Sequence, residues 1–234
     1  MTMTWMTSGS SGCAGSEEEA PERAARHPRA NRGVALLMAL LVTLFVSAIG
    51  GALVLLASTE TRIAGGEELR HEARGLAEVL LERVFQDLLL APDWSAVLAA
   101  GAGGSFQDSA SPARVPSWGL LDLPALTLNV QREADDLNRW GPDGPRWRLY
   151  AFGPADRLWP AGAAGPAAGR ASMFYVVAWV ADDPGEGDGN PAVDRNEAVQ
   201  VRAEAFGPLR TRWAVNATVR RKSGTLQLVF WGSG

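Results

Sequence analysis

Residues 32–60 read RGVALLMALLVTLFVSAIGGALVLLASTE, and this stretch decides how the chain is organised. From Val34 to Ala57 it holds 24 residues without a charged side chain. An α-helix needs about 20 mostly apolar residues to cross the hydrocarbon core of a bilayer. We therefore predict a membrane-spanning helix over residues 34–57.

The residues before this helix predict its orientation. Residues 1–33 are rich in Ser, Gly, Ala and Glu and lack apolar periodicity, which predicts a disordered leader that a start codon downstream of Met1 would shorten. Glu60 follows the apolar run, whereas the charges closest before it are Arg23, Arg26, Arg29 and Arg32. By the positive-inside rule, we expect a cytoplasmic N-terminus and a C-terminal part on the far side of the membrane.

The composition argues against several classes of protein. Cys13 is the single cysteine of the 234 residues, so no intramolecular disulfide can form. The two histidines are His27, in the leader, and His71, on a charged segment, so a Ser/His/Asp or Cys/His catalytic set is hard to assemble. The net charge is −4 and the basic residues are scattered, which argues against nucleic acid as a partner. We expect a protein that is not an enzyme.

An amphipathic helix is predicted beyond the membrane, over residues 58–91. Its apolar positions recur at steps of three and four, at Leu69, Ala73, Leu76, Leu80, Val84 and Leu88. Its polar face carries Glu68, Arg70, Glu72, Arg74, Glu78 and Glu82. Pro92 is expected to end the helix, and Gly65-Gly66 to weaken or kink it, because each glycine costs about 1 kcal/mol relative to alanine.

This order of segments resembles the PilX-type minor pilins of type IV pilus systems, over residues 32–90. The resemblance lies in Arg32-Gly33, the apolar run from Val34 to Leu56, the TRIAGG step at residues 61–66, and Leu76-Ala77-Glu78 in the helix that follows. It implies that a prepilin peptidase cuts between Gly33 and Val34 and that the new N-terminus is methylated. It also implies a long helix packed on an antiparallel sheet, which is the α+β pilin-like fold.

One residue of this chain differs from the pattern that is usual in major pilins. They usually carry Glu as the fifth residue after the cut, where this chain has Met38. The resemblance then implies a low-copy minor pilin, anchored in the inner membrane with a periplasmic domain until it enters a pilus or pseudopilus. Its implied partners are other minor and major pilins, the prepilin peptidase, the membrane and the inner-membrane assembly platform. The filament would serve adhesion, motility, DNA uptake or secretion.

Other interpretations of the apolar run stay open. It could be an ordinary signal anchor, or a secretory signal cleaved after Val46-Ser47-Ala48. The chain would then be a membrane-anchored periplasmic enzyme or carbohydrate-binding domain, and its nine tryptophans could form a sugar-binding patch rather than core packing. A type II secretion pseudopilin would share the prepilin-type signal.

The remainder of the chain predicts a sheet. Residues 92–125 are Gly/Pro-rich and predict a loop with short helical turns, anchored by Trp94 and Trp118. Residues 126–234 predict an antiparallel β-sheet domain arranged as a meander, in which strands that follow each other in sequence are neighbours in the sheet. Residues 173–180 are predicted as a central strand buried on both faces because they are continuously apolar. Alternation of apolar residues predicts further strands at residues 126–130, 147–151, 199–205, 213–219 and 226–230.

Residues 182–197, DDPGEGDGNPAVDRNE, form an acidic loop between two of these strands. Calcium takes six to eight oxygen ligands, and closely spaced acids with glycine allow a loop to wrap it. The candidate calcium ligands are Asp182, Asp183, Glu186, Asp188, Asn190, Asp194 and Asn196. The spacing is not that of an EF-hand, and a solvated turn-rich loop is the alternative.

Overall fold

The structure is a computed structural model that describes residues 31–100, 103–109, 112–115, 118–137, 144–159 and 171–233. The predicted disordered leader, except its last residues from 31 onward, lies outside the described residues. The chain divides into two compact units, residues 1–55 and 56–234.

The first helix, α1, runs from Asn31 to Leu90 and is 60 residues long. Residues 33–65 are exposed along its whole circumference. The helix is long and apolar enough to span a membrane by length and composition, and no residue of its apolar window is buried. Gly65-Gly66 does not interrupt the helix, and the chain leaves it two residues before Pro92.

The second unit buries one stripe of α1 against the sheet. The stripe follows the predicted spacing, with Ala73, Leu76, Ala77, Leu80, Leu81, Val84 and Leu88 at most 3% exposed. Leu69 and Phe85 are partly buried at its margin. The opposite face carries the ion pairs Arg70–Glu67 and Arg74–Glu78, with N–O distances of 2.7 and 2.8 Å.

The folded unit contains a five-stranded antiparallel sheet. Its strands are β3 (Arg148–Pro154), β4 (Tyr175–Asp182), β5 (Ala198–Phe206), β6 (Arg212–Lys222) and β7 (Thr225–Ser233). They lie in the sheet in the order β3-β4-β5-β6-β7. Neighbours in sequence are neighbours in the sheet, so the predicted meander is confirmed. The α+β layout, with a long helix packed on an antiparallel sheet, is confirmed as well.

β4 lies between β3 and β5, and all eight of its residues are buried. Val176, Ala178 and Val180 face the cluster that contains the α1 stripe. Tyr175, Val177 and Trp179 face a second cluster on the other side of the sheet. The continuous apolar run in the sequence therefore reflects a strand that is covered on both faces.

The second face of the sheet is covered by a helix that includes a segment predicted as a strand. Residues 126–130 lie within α3, Leu123–Leu137, so the strand prediction there is wrong. Leu123 and Val130, seven residues apart, are buried against the sheet, whereas Leu128 is 57% exposed. Asp122 caps this helix by accepting a hydrogen bond from the Ala125 N–H at 3.1 Å.

Residues 92–125 contain a short helix, where helical turns are predicted, and a small sheet that the sequence did not predict. They form α2 (Trp94–Ala100) and a two-stranded sheet of β1 (Ala113–Val115) and β2 (Gly119–Leu121). The two predicted anchors are both found. Trp94 is 1% exposed and donates its Nε1–H to the Leu88 carbonyl at 2.8 Å, and Trp118 packs edge-on to Phe206.

A buried ionic network joins α3 to the sheet. Glu204 on β5 is fully buried and accepts hydrogen bonds from Arg202 at 2.7 Å and from Arg212 at 2.7 and 2.9 Å. Arg202 also lies 2.7 Å from Glu133 of α3. The carboxylate of Glu204 is compensated by two guanidinium groups, which is what the burial of a charge requires.

We predict that Leu80→Ala lowers the free energy of unfolding by about 2–5 kcal/mol, because it removes buried methyl groups and leaves a cavity between α1 and the sheet. Chemical denaturation of the full chain in detergent micelles would measure the change. Leu89→Ala on the same helix is the control, since Leu89 is 42% exposed. An equal loss for the two variants would contradict the packing of α1 described above.

We predict that Glu204→Ala lowers the free energy of unfolding by about 3–5 kcal/mol, because Arg202 and Arg212 lose their buried partner. Glu133→Ala should cost about 1 kcal/mol or less, because the side chain of Glu133 is 50% exposed. The same denaturation experiment compares the two. A larger loss for Glu133→Ala than for Glu204→Ala would show that Glu204 is not the centre of the network.

Candidate cation and processing sites

The acidic loop connects β4 to β5 at one end of the sheet. Asp182 is the last residue of β4 and pairs with Val199 of β5, so the two ends of the loop are held together by the sheet. Gly187 and Gly189 have φ values of +69° and +72°, a conformation that glycine adopts without steric cost. The chain thereby turns sharply and folds its acidic side chains over the strand ends.

Three of the seven predicted ligands converge. Asp182, Glu186 and Asp194 each place one carboxylate oxygen within 4.8 Å of the other two. Asp182 is 5% exposed, and Glu186 and Asp194 are half-buried. Three carboxylates with the same charge therefore share a small, largely buried volume.

The other four predicted ligands lie in the same loop but outside this group of three. Asp183 accepts a hydrogen bond from the Asn196 side chain at 3.3 Å. Asp188 and Asn190 accept bonds from backbone N–H groups two residues ahead, at 2.9 and 3.3 Å. These hydrogen bonds shape the loop, and the carboxylates of Asp183 and Asp188 do not belong to the group of three.

Several oxygen atoms of this loop are buried without a hydrogen-bond donor. One is Oε2 of Glu186, whose Oε1 accepts bonds from the Arg195 and Asn196 N–H groups, both at 2.7 Å. Oδ1 of Asn196 is also buried without a partner. Oδ2 of Asp188 has no hydrogen bond either and lies 3.2 Å from Nε of Arg195.

The electrostatics of the three carboxylates follow from this arrangement. Burial, and next the charge of Glu186, raise the pKa of Asp182 from 3.8 to about 7. Burial, and the nearby Glu186, likewise raise the pKa of Asp194 to about 6, against the lowering effect of a hydrogen bond from the Ala198 N–H. Negative charge is therefore costly at this position unless a proton or a cation compensates it.

The acidic loop is also hydrogen-bonded to α2, a contact that the sequence does not predict. The Ser95 hydroxyl donates to the Asp194 carbonyl at 3.3 Å and accepts from the Asp194 N–H at 3.2 Å. Nothing in the local sequence signals this contact, because the two residues are 99 positions apart. Asp194 therefore belongs both to the carboxylate group and to the contact with α2.

The predicted processing residues lie near the start of α1. Gly33 and Val34 are both exposed and helical. A Cβ atom built on Gly33 would meet nothing within 4 Å among the described residues. Packing within the described part of the chain therefore gives no reason for glycine at residue 33.

The described tryptophans serve mainly as core residues. Trp94, Trp159 and Trp213 belong to the cluster on the α1 side of the sheet, and the cluster on the α3 side contains Trp118, Trp147 and Trp179. Among the described tryptophans only Trp231 is exposed, at 42%. Six of the seven described tryptophans therefore lie in or pack against the two core clusters.

The chain was compared with protein families, curated proteins and solved structures, and no match was found in any of the three.

Proposed function

We propose that this chain is a PilX-like minor pilin, cut between Gly33 and Val34 by a prepilin peptidase and built into a type IV pilus or its initiating complex. The observation that carries the proposal is α1. One helix of 60 residues begins with a fully exposed apolar stretch and ends with a stripe buried against the sheet. A subunit that shares its apolar helix with other subunits needs this combination.

The exposed stretch fits a helix that moves from lipid into a helical filament core. Residues 34–57 carry no charge and are exposed, so they can face lipid tails before assembly. Gly50 and Gly51 lie within this stretch, and no described atom lies within 4 Å of a Cβ built on either. Small residues let helix backbones approach closely, which favours packing against the helices of other subunits.

The position of the predicted cut supports the same proposal. The Arg residues before Gly33 favour retention of the leader on the cytoplasmic side, where it would be removed. Val34 would then be the N-terminus of the mature protein, with the apolar helix as its first element. Met38 at the fifth mature position lacks the carboxylate that major pilins usually carry there, which favours a minor subunit.

The proposed role is structural rather than catalytic. Gly33 and Val34 act as substrate positions for another enzyme. The folded unit lies outside the cytoplasm in this proposal, in the periplasm before assembly and in the filament afterwards. Its partners are the prepilin peptidase, the assembly platform and the neighbouring pilins.

We predict that Gly33→Ala blocks removal of the leader when the chain is expressed with a prepilin peptidase. Intact mass spectrometry of the purified protein measures the result. The native chain should yield a mature protein that begins with methylated Val34. Because a Cβ at residue 33 meets no described atom, the variant should fold normally, and a block would reflect recognition by the peptidase.

Gly50→Ala is the matched control, since Gly50 is also an exposed helical glycine with open space around its Cβ position. It should be processed like the native chain. Cleavage of Gly33→Ala at the same bond, or an intact leader on the native chain, would overturn the proposal. An intact leader favours a membrane-anchored domain, and isolation of the subunit with secretion-system partners favours a pseudopilin.

A further inference from the structure

We propose that the β4–β5 loop binds one calcium ion through the carboxylates of Asp182, Glu186 and Asp194. The inference rests on the folded unit alone and does not depend on assembly into a filament.

The spacing of the three oxygens fits a common ion. Calcium–oxygen distances are about 2.4 Å, so two ligands of one ion lie at most about 4.8 Å apart. The carboxylate oxygens of Asp182, Glu186 and Asp194 all lie within 4.8 Å of one another. A single ion can therefore contact all three with little movement of the loop.

A second observation is independent of this spacing. The loop holds two buried oxygens that lack a hydrogen-bond donor, Glu186 Oε2 and Asn196 Oδ1, whereas Asp188 Oδ2 is paired with Arg195 at 3.2 Å. Buried polar atoms are rarely left unpaired, and two from one short loop need an explanation. Both are acceptors, so a cation satisfies them where a further acceptor would not. Glu186 belongs to both observations, because its Oε1 holds the loop backbone and its Oε2 has no partner.

The ligand chemistry selects calcium among common cations. The group of three offers only oxygen atoms, which suit hard cations. No histidine or cysteine among the described residues belongs to it. Magnesium requires distances of about 2.1 Å and nearly ideal octahedral geometry, so it would need a tighter group. Calcium accepts irregular sets of six to eight oxygens, and carbonyl groups or water can complete the set.

Binding would also fix the loop to α2. Asp194 supplies one of the carboxylates, and its backbone exchanges two hydrogen bonds with Ser95 in the first turn of α2. An ion on Asp194 therefore holds the end of the sheet and α2 together. The ion would thus act as a cross-link in a chain that has one cysteine and forms no intramolecular disulfide.

The test is a comparison of melting temperatures of the full chain in detergent micelles, with calcium chloride and with EGTA. A ligand present at about 100 times its Kd should raise the Tm of a chain of this size by about 5–10 °C. Magnesium chloride at the same concentration should raise it less. Calorimetric titration with calcium should give a stoichiometry near one ion per chain.

The informative variant is Glu186→Gln. Glutamine keeps the Oε1 acceptor for the Arg195 and Asn196 N–H groups and replaces the unpaired Oε2 with a donor. It should remove the calcium-dependent rise in Tm while leaving the protein in EGTA at least as stable as the native chain. Glu197→Gln is the control, because Glu197 is an exposed acid of the same loop that pairs with Arg221 at 3.5 Å.

Equal melting curves of the native chain in calcium and in EGTA would overturn the proposal. So would an unchanged calcium effect in Glu186→Gln, or a magnesium effect equal to that of calcium. If Glu186→Gln does not fold, Asp194→Asn provides the second test of the same site. Processing at Gly33 is measured separately by mass spectrometry, so failure of the cation site and failure of the pilin proposal give different results.

Discussion

Burial of both faces of the five-stranded sheet is the constraint on which the folded unit depends. β4 can be apolar from Tyr175 to Ala181 because α1 covers one face and α3 covers the other. Trp179 shows how closely the second layer fits, since it is fully buried and donates its Nε1–H to the Thr127 hydroxyl of α3 at 2.8 Å. The charged network around Glu204 lies between the same layers, so α3 is held by both apolar contacts and ion pairs.

The same constraint explains why α1 has two kinds of surface. Its C-terminal turns face the sheet and need a stripe, with charges elsewhere on the circumference. Its N-terminal turns are exposed and apolar on all sides, a pattern that water does not stabilise and that lipid or other apolar helices do. The proposal of a pilin stem accounts for both kinds of surface in one helix. The acidic loop adds a different feature, because the carboxylates of Asp182, Glu186 and Asp194 lie close to one another rather than to arginine, and Oε2 of Glu186 has no hydrogen-bond donor.

Particular elements show why sequence patterns predicted some of this structure and failed elsewhere. The period of the α1 stripe was correct because steps of three and four over about five turns fit a helix and not a strand. The segment Leu126–Leu128–Val130 was misassigned because three apolar residues at alternate positions fit a strand as well as part of a helix. The helix signal was present in Asp122-Leu123-Pro124, a capping residue followed by proline in the first turn, and in the seven-residue spacing of Leu123 and Val130.

The sequence by itself determined the apolar helix, its amphipathic continuation, the strand order and the position of the acidic loop. These depend on periodicity, charge and turn residues that lie close together along the chain. Only the tertiary structure decided that α3 covers the second face, that the carboxylates of Asp182, Glu186 and Asp194 converge whereas those of Asp183 and Asp188 do not, and that Ser95 holds Asp194. The physical reason is that these contacts join residues far apart in sequence, and their geometry is fixed by how the layers pack.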